Sequence, residues 1–276
     1  MNKIQEKEFL SPQVFRIRVE SPAIARKRKA GQFIILRTCD DGERIPLTIA
    51  DADPHHGWIE LVVQIVGKTT KALSELAVGD MVCDLAGPLG RPTHIELFGT
   101  VVTVGGGIGI APAHPIAQAM KAAGNTVISI LGGRSKELII MEKKMRAASD
   151  EVIITTDDGS YGMKGFVTDA VQKLIDEGKR IDQTIAIGPP IMMKQVSLLT
   201  KKYNIPTLVS LNTIMVDGTG MCGGCRVTVG DKTKFVCVDG PEFDGHLVNF
   251  DEMMMRLAMY KDREKESIDH ACKIRA

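Results

Sequence analysis

Aromatic side chains are scarce in this sequence, with one Trp, three Tyr and eight Phe among 276 residues. That scarcity argues against the stacked aromatic platforms that hold single-stranded nucleic acid. Net charge is also lacking: 35 Lys and Arg stand against 34 Asp and Glu, a formal +1. There is no whole-chain basic footprint for nucleic acid and no polybasic tail for a membrane surface. The start, MNKIQEKEFL, has no apolar stretch of signal-peptide length, so a cytoplasmic location is expected. The long uncharged run Leu97 to Met120 covers 24 residues, enough to span a bilayer. It holds five Gly, two Pro, His114 and Gln118, and a strand, a glycine turn and a buried helix start account for it better. The six cysteines are Cys39, Cys83, Cys222, Cys225, Cys237 and Cys272, three of them within 16 residues. Without a secretion signal this grouping favours a metal or redox site over a disulfide framework.

The length suggests about two domains. Residues 1–97 read as β. Apolar, β-branched runs recur at Val14–Val19, Gln32–Arg37, Ile45–Ala50, Trp58–Val66 and Met81–Leu85, separated by turn residues, as in a small antiparallel barrel or sandwich. Lys71–Leu76 reads as a short helix. Residues 98–211 alternate: strands at Thr100–Val104, Thr126–Leu131, Val152–Thr156, Thr184–Ile187 and Thr207–Leu211, helices at Ala113–Ala122, Lys136–Ala147, Thr168–Glu177 and Pro190–Tyr203. That alternation predicts βαβ units in a doubly wound parallel sheet. Residues 212–276 are first Gly/Cys-rich and then charged.

Three motifs carry chemistry. Gly105, Gly106, Gly107, Ile108, Gly109, Ile110, Ala111 and Pro112 lie between an apolar strand and a helix. Glycines there admit a pyrophosphate to the backbone, and the helix N-terminus favours its charge. The stretch lacks the third Gly of GxGxxG, and a tight turn without ligand is the alternative. In the β region, Arg44-Ile-Pro46-Leu47-Thr48 and Gly67-Lys-Thr69-Thr70 offer a guanidinium, backbone donors and hydroxyls to a diphosphate, with Thr48 able to bond a flavin ring nitrogen. Alone they also read as an exposed arginine and a polar turn. Eleven residues separate Cys222-Gly-Gly-Cys225 from Cys237, so thiolates can share one metal centre. Asp217, Cys272, Asp231 and Asp239 are candidates for a fourth ligand, and structural zinc is the alternative to iron and sulfide. Asp157-Asp158-Gly159 and Gly133-Arg134 follow strands where a ribose or adenosine would sit, and Gly188-Pro189-Pro-Ile-Met192 opens a helix facing the same place.

The order of these motifs along the chain resembles the ferredoxin–NADP reductase superfamily. Within it, the likeness is to the branch of electron-transfer subunits. That branch includes the dihydroorotate dehydrogenase electron-transfer subunit and the small subunit of NADH-dependent ferredoxin:NADP oxidoreductase, also called sulfide dehydrogenase. The resemblance implies an FAD-binding β-barrel, an NAD(P)-binding α/β domain and a [2Fe–2S] region. It places Arg44, Pro46, Leu47, Thr48, Val63, Gln64, Ile65, Gly67, Thr69 and Thr70 along FAD, with Thr48 nearest the reacting ring. Many reductases of the superfamily carry an aromatic where Pro46 stands; the dihydroorotate branch does not. NAD(H), or NADP(H), falls to Gly105–Pro112, Gly133, Arg134, Asp157–Gly159 and Gly188–Met192. The dihydroorotate branch carries a cysteine where Asp217 stands. The aspartate matches the ferredoxin:NADP oxidoreductase subunit and implies the ligand set Asp217, Cys222, Cys225 and Cys237. The implied activity is electron transfer among NAD(H), FAD and the cluster, in a complex with a larger iron–sulfur flavoprotein subunit that couples NADH, NADPH and ferredoxin by flavin-based electron bifurcation. A dihydroorotate dehydrogenase subunit, or a zinc-containing nucleotide-sensing module, are the other readings. Nucleic acid and membranes are not expected as partners.

Overall fold

The computed structural model describes residues 2–274, and side chains up to Ser267. The first sheet is antiparallel and is built from β1 (Ile4–Ser11), β2 (Val14–Glu20), β3 (Phe33–Arg37), β4 (Ile45–Asp53), β5 (Trp58–Gln64) and β6 (Asp84–Leu89). Its order is β1-β2-β5-β4-β3-β6. A bridge from Lys3 to Met81, just ahead of β6, joins the two edges, so the sheet closes on itself and leaves little free edge. Alternate residues point inward: Phe15, Ile17, Ile34, Leu36, Ile49, Ile59, Leu61 and Val63 fill the interior. β1 is absent from the sequence-based expectation. Its exposed face carries Glu6 and Glu8, which masks the period of an edge strand.

The second sheet contains β7 (Thr100–Gly106), β8 (Thr126–Gly133), β9 (Glu151–Thr156), β10 (Met163–Lys164), β11 (Gln183–Ile187) and β12 (Thr207–Ser210). These are parallel, and β15 (Glu242–Asp244) adds an antiparallel edge beyond β12. Between β12 and β15 lies a small hairpin of β13 (Arg226–Val229) and β14 (Lys232–Phe235). The order β10-β9-β8-β7-β11-β12-β15 reverses between β7 and β11, the place where open α/β sheets bind ligands. One face carries Val102, Val104, Ile128 and Ile130 with the helix Val167–Asp176, whose Val167, Ala170, Val171 and Leu174 are buried. That i, i+3, i+4, i+7 stripe makes the helix amphipathic, and each buried Val or Leu is worth about 1.5–3 kcal/mol. The other face packs Val101, Val127, Leu131 and Ile185 under the helix Ile110–Ala122.

Two helix expectations are corrected. The helix expected from Ala113 begins at Ile110, because Pro112 falls in its first turn, where a missing N–H costs nothing. The helix expected over 136–147 is broken. A 3₁₀ turn covers Lys136–Leu138, Met141 takes φ 56°, and the α-helix runs Glu142–Ala148. The extended Ile139 delivers Ile140 into the core beside Met145, a burial that a continuous helix would forgo. No described helix is long and apolar enough to cross a membrane.

The two sheets are joined by charge as well as packing. Glu60 on β5 is fully buried and meets Arg16 Nη1 at 2.9 Å, Arg18 Nε at 3.2 Å and Lys144 Nζ from the helix Glu142–Ala148. Lys144 also lies 3.7 Å from Asp51. Burial pushes the Glu60 carboxyl up, but Lys144 and Arg16 more than offset this and hold it below its ordinary range. Lys144→Met is expected to lower stability by about 1–2 kcal/mol. That is less than the usual cost of orphaning a buried charge, because both arginines remain. Urea unfolding checks this, and an unchanged midpoint would show that the contact adds nothing.

Candidate functional site

The nucleotide motifs converge on the carboxyl ends of β7, β8, β9 and β11. Gly106 is in register with Gly132, Gly133 with Thr156, and Ile187 with Gly105. Gly107 takes φ +56°, and a Cβ there would meet nothing within 4 Å, so this backbone faces open space. Gly109 differs: a Cβ would stand 2.1 Å from the Ile187 carbonyl oxygen. Gly107 therefore serves an approach from outside, while Gly109 lets the turn lie against β11. Met192 sits over both strand ends, since Cβ atoms on Gly106 and Gly188 would fall 2.3 Å from its Sδ and 2.9 Å from its Cε. Pro189 also flanks Gly106. Ala111 is buried in the helix start, with Pro112 beside it. Gly133 and Arg134 accept backbone bonds from Asp157 (3.1 Å) and Asp158 (3.2 Å), which brings the two loops side by side. Asp158 turns its carboxylate to Ser160, which holds it below the usual range, while Asp157 is left exposed. Lys136, two residues after Arg134, lies over the Tyr161 ring, 5.3 Å from its centroid.

On the barrel, Pro46, Leu47 and Thr48 of β4 pair with Ile35, Ile34 and Phe33 of β3. Thr48 is half-buried and its hydroxyl has no hydrogen-bond partner among the described residues. Val63 points into the barrel core, so only its main chain can face a ligand; Gln64 and Ile65 follow at the strand end. Two hydroxyls expected at a diphosphate are engaged otherwise. Thr69 donates to Glu43 Oε2 at 2.6 Å, and Thr70 accepts from the Val66 and Gly67 amides at the start of the helix Lys68–Glu75. Gly67 itself faces open space. Arg44 donates from Nε to the Val216 carbonyl, 2.8 Å away and 172 positions along the chain.

That bond leads to the cysteine loop. Asp217 accepts from the amides of Thr219, Met221 and Cys222 and from the Thr219 hydroxyl. The Cys222 thiol donates to Asp217 Oδ1 at 3.1 Å. This bond, foremost, and those from Thr219 hold the carboxyl well below the carboxylate range. Gly218 and Gly220, at φ +77° and +85°, let the chain wrap around the carboxylate. Cys225 and Cys237 are buried with sulfurs 3.2 Å apart. Burial, and then the neighbouring Cys225, push the Cys237 thiol well above its ordinary value, so a metal must displace its proton. The four donors thus stand as two pairs, Asp217/Cys222 and Cys225/Cys237, and no three described His, Cys, Asp or Glu side chains converge on one point. The amides of Gly224 and Cys237 point at the Cys222 and Cys225 sulfurs, at 3.5 and 3.4 Å, as outer bonds to metal-bound thiolates do. Residues and chemistry fit a two-iron cluster. Of the other candidates, Asp239 accepts from the Phe235 amide and faces Arg91, Asp231 is exposed on a turn, and the side chain of Cys272 lies outside the described residues.

Sequence reasoning missed Glu242. Thr93 donates to its carboxylate at 2.6 Å where β15 meets the barrel. Burial pushes the Glu242 carboxyl up to about 7, against the opposing Thr93 bond. The folded state therefore holds this proton longer than the unfolded chain does, and stability falls as pH rises from about 4.5 to 7. Glu242→Gln should remove that loss and be stabilised relative to wild type by on the order of 2 kcal/mol at pH 8 but not at pH 4.5. Thermal melts at the two pH values check it. An equal offset at both would refute it.

Residues 2–94 match the oxidoreductase FAD-binding domain, 103–197 the oxidoreductase NAD-binding domain, and 212–249 the iron–sulfur cluster binding domain of dihydroorotate dehydrogenase B. A dihydroorotate dehydrogenase B (NAD(+)) electron transfer subunit homolog from Thermotoga maritima is 49% identical, over 99% of this chain and 96% of its own. The subunit itself from Desulforamulus reducens is 34% identical, over 85% and 92%. A solved structure of NADH-dependent reduced ferredoxin-NADP oxidoreductase, described for its flavin-based electron bifurcation, superposes with TM-score 0.94 at 47% identity, over 99% of this chain and 98% of that one. The cytochrome P450 reductase of Amycolatopsis, at 24% identity, TM-score 0.63 and coverage of 72% and 64%, shares the fold alone. This chain belongs to the family of dihydroorotate dehydrogenase B electron transfer subunits and their homologues, oxidoreductase chains of ferredoxin reductase-like fold that join FAD-binding, NAD-binding and iron–sulfur-binding domains.

Proposed function

We propose that the chain is the electron-transfer subunit of an NADH-dependent ferredoxin–NADP oxidoreductase. It passes electrons between NAD(H), FAD and a [2Fe–2S] cluster within a bifurcating complex. One observation carries this reading: the near full-length likeness to that oxidoreductase structure, at TM-score 0.94 and 47% identity. The ligand set Asp217, Cys222, Cys225 and Cys237 supports it, because two donor pairs suit two irons, whereas a single tetrahedral zinc needs four donors around one point. Residues 1–97, 98–211 and 212–276 are the corresponding flavin, dinucleotide and cluster units.

The residues do the following. The Gly105–Gly109 backbone and the helix start at Ile110 receive the dinucleotide pyrophosphate, while Gly133, Arg134 and Asp157–Gly159 hold its adenosine end. Gly188, Pro189 and Met192 border the nicotinamide. Arg44, Gly67 and the main chain near Val63–Ile65 hold FAD, and Thr48 donates to its ring. Bound flavin supplies the exchange between a two-electron hydride and single electrons. The subunit partner is a larger iron–sulfur flavoprotein through which ferredoxin is reached. The family relatives favour a second reading, in which the partner oxidises dihydroorotate. Purified protein should be coloured, with about two irons and one flavin per chain. A colourless, zinc-loaded protein would overturn both readings, and mass identification of the co-purified subunit decides between them.

A further inference from the structure

We propose that Arg44 is a positioning residue that couples the flavin pocket to the cysteine loop, so that filling either site tightens the other. The inference rests on the proposed cofactors and extends to a contact between their two sites. Arg44 leads directly into β4, two residues before Pro46. Its Nε donates to the carbonyl of Val216, the residue before Asp217. The residue after Asp217 also touches the barrel. A Cβ on Gly218 would stand 2.7 Å from Leu89 Cδ1 on β6 and 2.8 Å from Ile35 Cγ1 on β3, and Ile35 pairs with Pro46. The proposed ligand Asp217 is thus held on one side by Arg44 at the start of β4 and on the other by β6 and by β3, the strand that pairs with the flavin motif. Cys225 and Cys237 lie in the buried core that Phe33 and Ile35 of β3 share with the parallel sheet.

A guanidinium is a rigid planar fork with five N–H donors. Once Nε is committed to a carbonyl, the plane is set and the two terminal nitrogens keep their donors for an anion. No other partner of Arg44 occurs among the described residues. The Val216 carbonyl therefore aims Arg44, and a diphosphate on Arg44 steadies Val216 and the carboxylate beside it. Such a coupling is reciprocal in free energy.

The test is a double-mutant cycle on FAD affinity, read by flavin fluorescence in wild type, Arg44→Met, Cys225→Ser and the double variant. Cys225 makes its hydrogen bonds to Cys237 and Val236 and none to the flavin motif among the described residues, yet Cys225→Ser should weaken FAD binding roughly fivefold, the equivalent of about one net hydrogen bond. Arg44→Met should weaken it more, and the double variant should be no worse than Arg44→Met alone. Gly218→Val keeps Arg44 and all cysteines but pushes the loop off Ile35 and Leu89. It should both lower FAD affinity and alter the paramagnetic resonance line shape of the cluster, which guards against misfolding of the serine variant. The proposal is overturned if Cys225→Ser and Gly218→Val leave FAD affinity unchanged, or if the losses multiply in the double variant. Those outcomes, with iron and sulfide present in wild type, leave the proposed function standing. Wild type without a cluster overturns both.

Discussion

Asp217→Cys should retain a [2Fe–2S] cluster and change its potential, while Cys225→Ser should lose it. Asp217 stands five residues before Cys222, and its carboxylate is already gathered against the Cys222 thiol by the Thr219, Met221 and Cys222 amides. Thiolate is a softer and more covalent donor than carboxylate. Cysteine at 217 should therefore push charge onto the iron and lower the potential by on the order of 0.1 V, within the range over which ligands tune such clusters. Cys225 lies in the buried pair with Cys237. Losing an outer-shell partner alone costs about 10–100-fold in metal affinity, so losing the ligand itself should reduce cluster content further. Iron and sulfide analysis with electron paramagnetic resonance reads both variants. Cys272→Ser should leave cluster and signal unchanged. If it removes the cluster while Asp217→Ala keeps the wild-type signal, Cys272 is the fourth ligand instead.

Two glycines of one turn should fail in different ways. Gly109→Val drives a branched side chain into the Ile187 carbonyl, where even a Cβ would stand at 2.1 Å, with Gly188 Cα at 2.8 Å. The turn after β7 would have to lift off the end of β11, at about 3 kcal/mol or more. Gly107→Val meets nothing within 4 Å and costs about 1–2 kcal/mol for its left-handed backbone. Its side chain would occupy the space through which a pyrophosphate reaches the amides. Losing such a charge-assisted bond weakens NADH binding by about 10–100-fold. Melting temperature and NADH calorimetry together separate the two: Gly109→Val loses stability first, whereas Gly107→Val keeps its fold and its FAD but loses the dinucleotide. A Gly107→Val protein with normal NADH affinity would place the dinucleotide elsewhere.

The features legible in the sequence are local ones. A continuous apolar strand followed by Gly105–Gly109 and a helix needs no long-range information, because the glycines, the strand end and the helix start are neighbours in the chain. One wrapped turn also brings Asp217 to Cys222, but spacing alone leaves Asp217 one of four candidates, and only the resemblance selects it. Features set by distant pairing were not legible. β1 alternates charges on its exposed face and gains its place only from β2 and the Lys3–Met81 bridge. Met141 breaks a helix that local propensity favours, so that Ile140 can be buried. The Arg44–Val216 bond spans 172 positions, so the motif reading assigned Arg44 to a diphosphate alone. Glu60 did leave a trace, a lone carboxylate in the apolar run Trp58–Gln64, but nothing local names Lys144 as its partner.

The proposed electron path runs from dinucleotide through flavin to a cluster held by Asp217 and three cysteines. Anaerobic titration of the purified protein with NADH, followed by absorbance and low-temperature electron paramagnetic resonance, tests it most directly. NADH is expected to bleach the flavin band, after which a reduced [2Fe–2S] signal grows in, absent from Cys225→Ser and altered in Asp217→Cys. A flavin that bleaches while a fully loaded cluster stays oxidised, or a signal identical in Asp217→Cys, would contradict it.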